Sequence, residues 1–184
     1  MSRLFLVLIV LALAAPVEAT EAGWALLRNG GQVILINHAD APGTSEPVNF
    51  DIEDCSTQRN LSDRGRQQAR RMGALFEARA APIEKVLTSR YCRARDTARL
   101  AFEDIEIEDF EALDSFADHP ESKDAQTTAV RERILAHSGA GNLVMVTHQA
   151  NITALTGATP RESEAVIVSR KDDGLGVAAR IIFR

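Results

Sequence analysis

Residues 32–42, QVILINHADAP, decide how the rest of the chain is read. Val33, Ile34, Leu35 and Ile36 form a short apolar run rich in β-branching, the pattern of a strand buried on both faces. The run ends at Asn37-His38-Ala39-Asp40, and Pro42-Gly43 stops regular structure. A histidine at the carboxyl end of a central strand stands where open α/β sheets place their ligands. On this stretch alone, a turn histidine without a task fits equally well.

Working outward, residues 24–31 read as a short helix ended by Gly30-Gly31, a glycine stop. Residues 43–57 are rich in Pro, Asp, Ser and Asn, so they form a surface loop, and loops of this length are often binding loops. Ser62 can cap a helix running to about Arg79, with Leu61, Ala69, Met72, Leu75 and Phe76 as its apolar stripe. A second strand covers 86–88, preceded by Ile83-Glu84-Lys85, and a helix starts in 89–93 and continues to about Phe102. The acidic stretch 103–117 holds a short edge strand around Ile105 and Ile107, and 125–137 is helical. Residues 142–147, NLVMVT, make a third apolar strand with His148 at its end, followed by a helix closed by Gly157. Strands at 165–169 and 177–183, joined by the turn signal Lys171-Asp172-Asp173-Gly174, form a hairpin on the sheet edge. The order predicts a three-layer α/β/α domain with a mostly parallel central sheet. The strands ending in His38, in Ser89 to Arg93, and in His148 then converge on one edge of it.

The chain has 184 residues, enough for one domain with a substantial core, and a formal net charge of -5, which argues against non-specific nucleic-acid binding. Arg3 followed by the apolar run 4–15, Pro16 and Val17-Glu18-Ala19 reads as a secretory signal with cleavage after Ala19. The domain is then residues 20–184, periplasmic or secreted, with no stable membrane insertion once the signal is gone. Cleavage removes Arg3 and Glu18 together and leaves the charge unchanged. The alternative is an uncleaved membrane anchor. Export also changes the reading of Cys55 and Cys92, the chain's only cysteines, since an exported pair can oxidise to a disulfide. Two free buried thiols are the other possibility.

Two imidazoles and several guanidiniums at strand ends suit phosphate. Arginine forks bind its oxygens in pairs, and a helix amino end after Arg90 adds partial positive charge. A neutral histidine nitrogen can attack phosphorus and carry the phosphoryl group. A second histidine can stabilise the transition state, and a carboxylic acid can protonate the leaving oxygen. A metal held by the two histidines with Asp40 or Asp114 is a weaker alternative, because no tight ligand spacing is present. His119 and His137 have polar neighbours and read as surface residues.

In this order the pieces resemble the histidine phosphatase superfamily, the phosphoglycerate-mutase-like proteins. Asn37-His38-Ala39 stands where that family reads Arg-His-Gly or Arg-His-Ala. Arg59-Asn60-Leu61-Ser62-Asp63-Arg64-Gly65, with Gln68-Ala69 behind it, is similar to Arg-x-Leu-Ser/Thr-x-x-Gly-x-x-Gln-Ala. Ser89 with Arg93-Ala94-Arg95-Asp96-Thr97-Ala98 matches Ser-x-x-x-Arg-Ala-x-x-Thr-Ala, and Val146-Thr147-His148 follows a strand. The resemblance implies that His38 accepts the phosphoryl group, that Arg93 and His148 clamp it, and that Arg59 lies beside the substrate. Gln149 could bond the phosphate or leaving group. Among Asp114, Asp118 and Glu111, Asp114 is chosen as proton donor. No metal or organic cofactor is expected, and the small size resembles the compact branch without a cap domain. The substrate implied is a phosphorylated small molecule; envelope sugar phosphates, such as lipopolysaccharide core heptose phosphate, are candidates through exported relatives only. Asn37 is the departure: a missing phosphate-binding arginine is worth roughly 2–4 kcal/mol of transition-state stabilisation. The chain is therefore read as an exported phosphomonoester hydrolase, or as an impaired relative that binds a phosphorylated ligand without efficient turnover. A phosphomutase shares the phosphohistidine step.

Overall fold

The computed structural model describes residues 16–117, 119–171 and 174–183. The apolar run 4–15 of the expected signal, Asp118, and Asp172-Asp173 of the final turn lie outside the described residues. The first helix, α1, is Pro16–Asn29, earlier in its start than the 24–31 expected, so the expected cleavage point after Ala19 falls in its first turn. Gly30 and Gly31, both at positive φ, end it, and β1 (Val33–Asn37) follows, buried at every position.

Next come α2 (Asp63–Ala78), β2 (Ile83–Thr88), α3 (Cys92–Ala101) and β3 (Ile107–Asp109). They are followed by α4 (Lys123–Leu135), β4 (Asn142–Thr147), α5 (Gln149–Thr156), β5 (Glu164–Lys171) and β6 (Gly174–Ile182). Ser62 caps α2 by accepting from the Gly65 backbone at 2.9 Å, as its place before the apolar stripe implies. Among the described residues, no helix is long and apolar enough to cross a membrane.

The sheet order is β3-β2-β4-β1-β5-β6. β3, β2, β4 and β1 are mutually parallel, while β5 runs antiparallel to β1 and β6 antiparallel to β5. The expected parallel centre is there, but one third of the sheet is the terminal hairpin, whose first strand lies directly against β1. A tight hairpin can only pair antiparallel, which fixes β6 against β5.

Alternation along β1 feeds two cores. Ile34 and Ile36 pack with Trp24 and Leu27 of α1, Met72 and Phe76 of α2, and Ala94 and Ala98 of α3. Val33 and Leu35 face Val130 and Ile134 of α4 and Ile152 and Leu155 of α5. Both faces of the sheet are covered, which is the three-layer α/β/α arrangement.

Two close approaches pin α2. A Cβ on Gly73 would stand 2.1 Å from the Ala101 carbonyl oxygen, and one on Gly65 2.2 Å from that of Asp40. The first sets the α2–α3 crossing; the second holds the chain just past His38. Gly73→Ala and Gly65→Ala should each cost about 1–3 kcal/mol through overpacking, read as a lower urea midpoint. An unchanged midpoint in either variant would mean the backbones are not in contact there.

Candidate active site

Strand register builds the site. Asn37 of β1 pairs with Thr147 of β4, so the next residue on each strand is a histidine at the same level. The His38 amide donates to the Thr147 carbonyl at 3.1 Å, and the two rings meet edge-to-face with centroids 5.3 Å apart. The neighbouring β2 pairs Thr88 with Val146, which brings Ser89 alongside. Arg93, in the first turn of α3, reaches across all three strand ends.

The Arg93 guanidinium is the hub. Nε donates to His38 Nε2 at 3.1 Å, one terminal nitrogen to His148 Nδ1 at 3.3 Å, and the other to Glu46 Oε1 at 2.6 Å. Its carbon lies 4.7 Å from the centre of the Tyr91 ring, which also packs edge-on against His148. The residues are nearly sealed: His38 is 7% exposed, Arg93 4% and His148 4%.

One partner that can only accept and one that can only donate fix the two tautomers. His38 Nδ1 faces the Ala39 carbonyl at 2.8 Å, so it carries the proton and Nε2 presents its lone pair. His148 accepts from Arg93 at Nδ1, so Nε2–H donates to Ser89 Oγ at 2.9 Å. The Ser89 hydroxyl then donates to Asp114 Oδ1 at 3.0 Å. Burial, then the charges of Arg93 and Arg59, push His38 from its ordinary 6.5 down to about 3, against opposing effects of the Ala39 hydrogen bond and Asp40. Burial, Arg93, His38 and Arg59 hold His148 well below its ordinary value.

The remaining residues singled out from the sequence divide into two groups. Arg59 belongs to the site: its charge acts on His38, His148 and Arg93, while its guanidinium grips the Pro42 carbonyl at 3.2 Å and the Ala41 carbonyl at 2.6 Å. Arg90 and Arg95 do not, since they pair with Asp114 and Glu111 and with Asp109. Asn37 is buried; its amide donates to the Pro160 carbonyl at 3.5 Å and its Oδ1 has no partner. Gln149 is exposed and donates to the same carbonyl at 2.8 Å. Asp114 reaches His148 only through Ser89. Its two oxygens also take the Arg90 backbone at 2.7 Å and the Arg90 side chain at 2.8 Å. Of the alternatives to it, Glu111 is a surface partner of Arg90, and Asp118 is not described.

Loop 43–57 covers the site. Cys55 and Cys92 are joined, so the loop is tied to the first residue of α3. Gln58 Oε1 accepts from the Cys92 amide at 2.9 Å, while its Nε2 holds the Asp51 and Ile52 carbonyls. A cleft of about 190 Å³ is lined by Ser45, Glu46, Pro47, Phe50, Tyr91 and His119, and Glu46 is the lining residue that also bonds Arg93. Phe50 stacks on Tyr91 there, with ring centres 5.2 Å apart. Sequence reasoning missed Glu46, Gln58 and the Ser89 relay. Ser89 lies in a quoted motif, but nothing marks Glu46 apart from its long polar loop.

An α/β/α sandwich with paired imidazoles and a guanidinium at parallel strand ends is the class that the fold and site define. The family model of the histidine phosphatase superfamily (branch 1) matches residues 51–120, which bears out the resemblance for the two motifs in that stretch, at Arg59 to Ala69 and Ser89 to Ala98. No curated protein sequence matches the chain. Among solved structures, the protein histidine phosphatase SixA complexed with tungstate is similar at a TM-score of 0.55 and 18% identity, over 82% of this chain and 96% of that one. Phosphoserine phosphatase from Entamoeba histolytica, in complex with 3-phosphoglyceric acid, aligns at 0.59 and 13% over 82% and 96%. The alpha-ribazole phosphatase from Shigella flexneri aligns at 0.57 and 14% over 80% and 95%. Each of the three is aligned over at least 95% of its own length.

The neutral histidines link stability to acid. Between pH 6.5 and about 3 the unfolded chain binds protons that the folded chain refuses, so stability is full above 6.5 and falls as pH drops. The expected slope is up to about 1.4 kcal/mol per pH unit for each of the two histidines. Urea unfolding at pH 7, 6 and 5 without phosphate should show it, with a shallower slope in His148→Asn. Equal slopes in both proteins would mean that His148 charges freely when folded.

Proposed function

We propose that the chain hydrolyses phosphomonoesters through a phosphohistidine at His38 Nε2. The observation that carries this reading is the neutral Nε2 lone pair of His38 held against the Arg93 guanidinium, 5.3 Å ring to ring from a second imidazole. Phosphorus approaches Nε2 in line, Arg93 turns its donors onto the phosphoryl oxygens, and His148 supplies a further contact. Arg59 adds the second positive charge. Ser89 and Asp114 orient His148 by fixing which of its nitrogens carries the proton, so Asp114 acts through Ser89 and not as proton donor. The family match and the phosphatase folds around it support the same reaction class.

His38→Ala should lower hydrolysis of 4-nitrophenyl phosphate by at least about a thousandfold, because removing a covalent nucleophile removes the pathway. Activity surviving that change removes His38 from its role. Asn37→Arg, returning the missing fork, should raise kcat/KM by roughly ten- to a hundredfold. A non-catalytic phosphate-binding module is favoured instead by the neutral, buried Asn37; phosphate binding by calorimetry without any turnover in the unaltered protein would establish it.

The proposal includes export to the periplasm or beyond, with phosphorylated small molecules, envelope sugar phosphates among them, as substrates. Support comes from the charged start, the apolar run 4–15 and the joined cysteines, since disulfides persist in oxidising compartments. Amino-terminal sequencing of the protein recovered from a periplasmic extract should begin at Thr20. Recovery of the full-length chain from the cytoplasm would end the export reading.

A further inference from the structure

Glu46 is the one carboxylate bonded directly to the His38–Arg93–His148 cluster among the described residues. Oε1 takes the Arg93 terminal nitrogen at 2.6 Å, and Oε2 takes the Arg59 backbone at 3.0 Å. Both side chains of the Arg93–Glu46 pair are almost fully buried, at 4% and 8% exposure. Glu46 therefore sits on the donor that a phosphoryl oxygen would use, and it lines the cleft together with Phe50 and Tyr91. His38, Arg93 and His148 are buried and do not line that cleft, so a phosphate arriving through it meets Glu46 before it meets His38.

We propose that Glu46 is the proton donor of the reaction, held on Arg93 in place of the phosphate until substrate displaces it. This rests on the phosphohistidine reading above. A phosphate dianion arriving on Arg93 puts two anions beside one guanidinium, and Glu46 relieves the repulsion by swinging aside and taking a proton from solvent. The loop can yield on this side: Gly43 ahead of Glu46 is in the left-handed region, at φ 102, while the disulfide and Gln58 anchor the other end. Displaced into the cleft, the carboxyl group lies where the alcohol part of the substrate must sit. In the first step the His38 Nε2–phosphorus bond forms, the ester oxygen–phosphorus bond breaks, and the Glu46 proton passes to the departing oxygen. In the second step water oxygen bonds phosphorus, the Nε2–phosphorus bond breaks, and the carboxylate of Glu46 takes the water proton.

The test compares two leaving groups in Glu46→Gln. The amide oxygen can still accept from Arg93, but the amide nitrogen cannot replace the oxygen that takes the Arg59 backbone, and the group cannot supply a proton. Glycerol 2-phosphate, whose alkoxide must be protonated, should lose roughly a hundred- to a thousandfold in kcat. 4-Nitrophenyl phosphate, whose phenolate leaves unaided, should lose under about tenfold in the formation of the phosphoenzyme and show a burst of nitrophenol. Inorganic phosphate measured by calorimetry should bind at least about fivefold tighter, because no anion competes for Arg93. Glu46→Asp should restore part of the glycerol phosphate rate. Equal losses in phosphoenzyme formation on the two substrates, or no loss on glycerol 2-phosphate, overturn the assignment. A protein that turns over neither substrate ends the phosphatase reading by itself; the phosphate affinity then judges the placement of Glu46, and an unchanged affinity in Glu46→Gln overturns that too.

Discussion

A single buried guanidinium governs the site. Removing an arginine from water costs several kcal/mol unless its donors meet acceptors of good geometry. Arg93 meets three, and two of them are imidazole nitrogens. An imidazole nitrogen can accept only while it is unprotonated, so the contact that makes Arg93 tolerable also keeps both rings neutral. The dependence runs in both directions. A protonated His38 would face a cation at 3.1 Å, and an absent Arg93 would leave two sealed rings without the donor that orders them. On the phosphohistidine reading, the nucleophile is thus prepared by electrostatics rather than by a separate base.

The sheet supplies the alignment that this requires. Parallel pairing of β1 with β4 puts residues 38 and 148 side by side with no loop between strand and ring, and the β2 pairing adds Ser89 at the same level. A slip of one residue would turn His38 towards the opposite core, since successive side chains alternate faces. The packing of Ile34 and Ile36 on one face and Val33 and Leu35 on the other opposes that slip. Core packing and catalytic geometry therefore rest on the same register.

What was legible in the sequence is what is local or periodic. β1 and β4 are continuous apolar runs, α2 has a stripe and a capping serine, and each was placed to within a few residues. His38, Arg93 and His148 stand at strand and helix ends, positions that a pattern reading reaches, and the structure brings them together. The contacts of Glu46 are different in kind. They join residues 46 and 93 across a loop whose conformation is set by turns, a disulfide and the Gln58 side chain, and none of these leaves a repeat. The pairing of Asp114 with Ser89 and Arg90 was hidden for the same reason: an acidic stretch shows that carboxylates are present, but not which one turns inward. The antiparallel placement of β5 against β1 depends on how the hairpin docks, which its own residues do not encode.

Asn37 then takes on a meaning beyond a lost charge. Two guanidiniums, Arg93 and Arg59, act on His38 more strongly than the nearby Asp40, whose carboxylate is engaged with the Ser62 hydroxyl. Without ligand, Glu46 offsets one of those charges. A phosphate dianion offsets both, and the pocket is then balanced only if Glu46 has become neutral. With an arginine at 37 the same pocket would carry a third positive charge, and a dianion and an ionised Glu46 could stay together. With Asn at position 37, the competition that the proposal places between substrate and Glu46 is therefore sharper than an arginine there would make it. The neutral side chain weakens the hold on phosphate and, on the proposed mechanism, raises the driving force for the proton to reach Glu46.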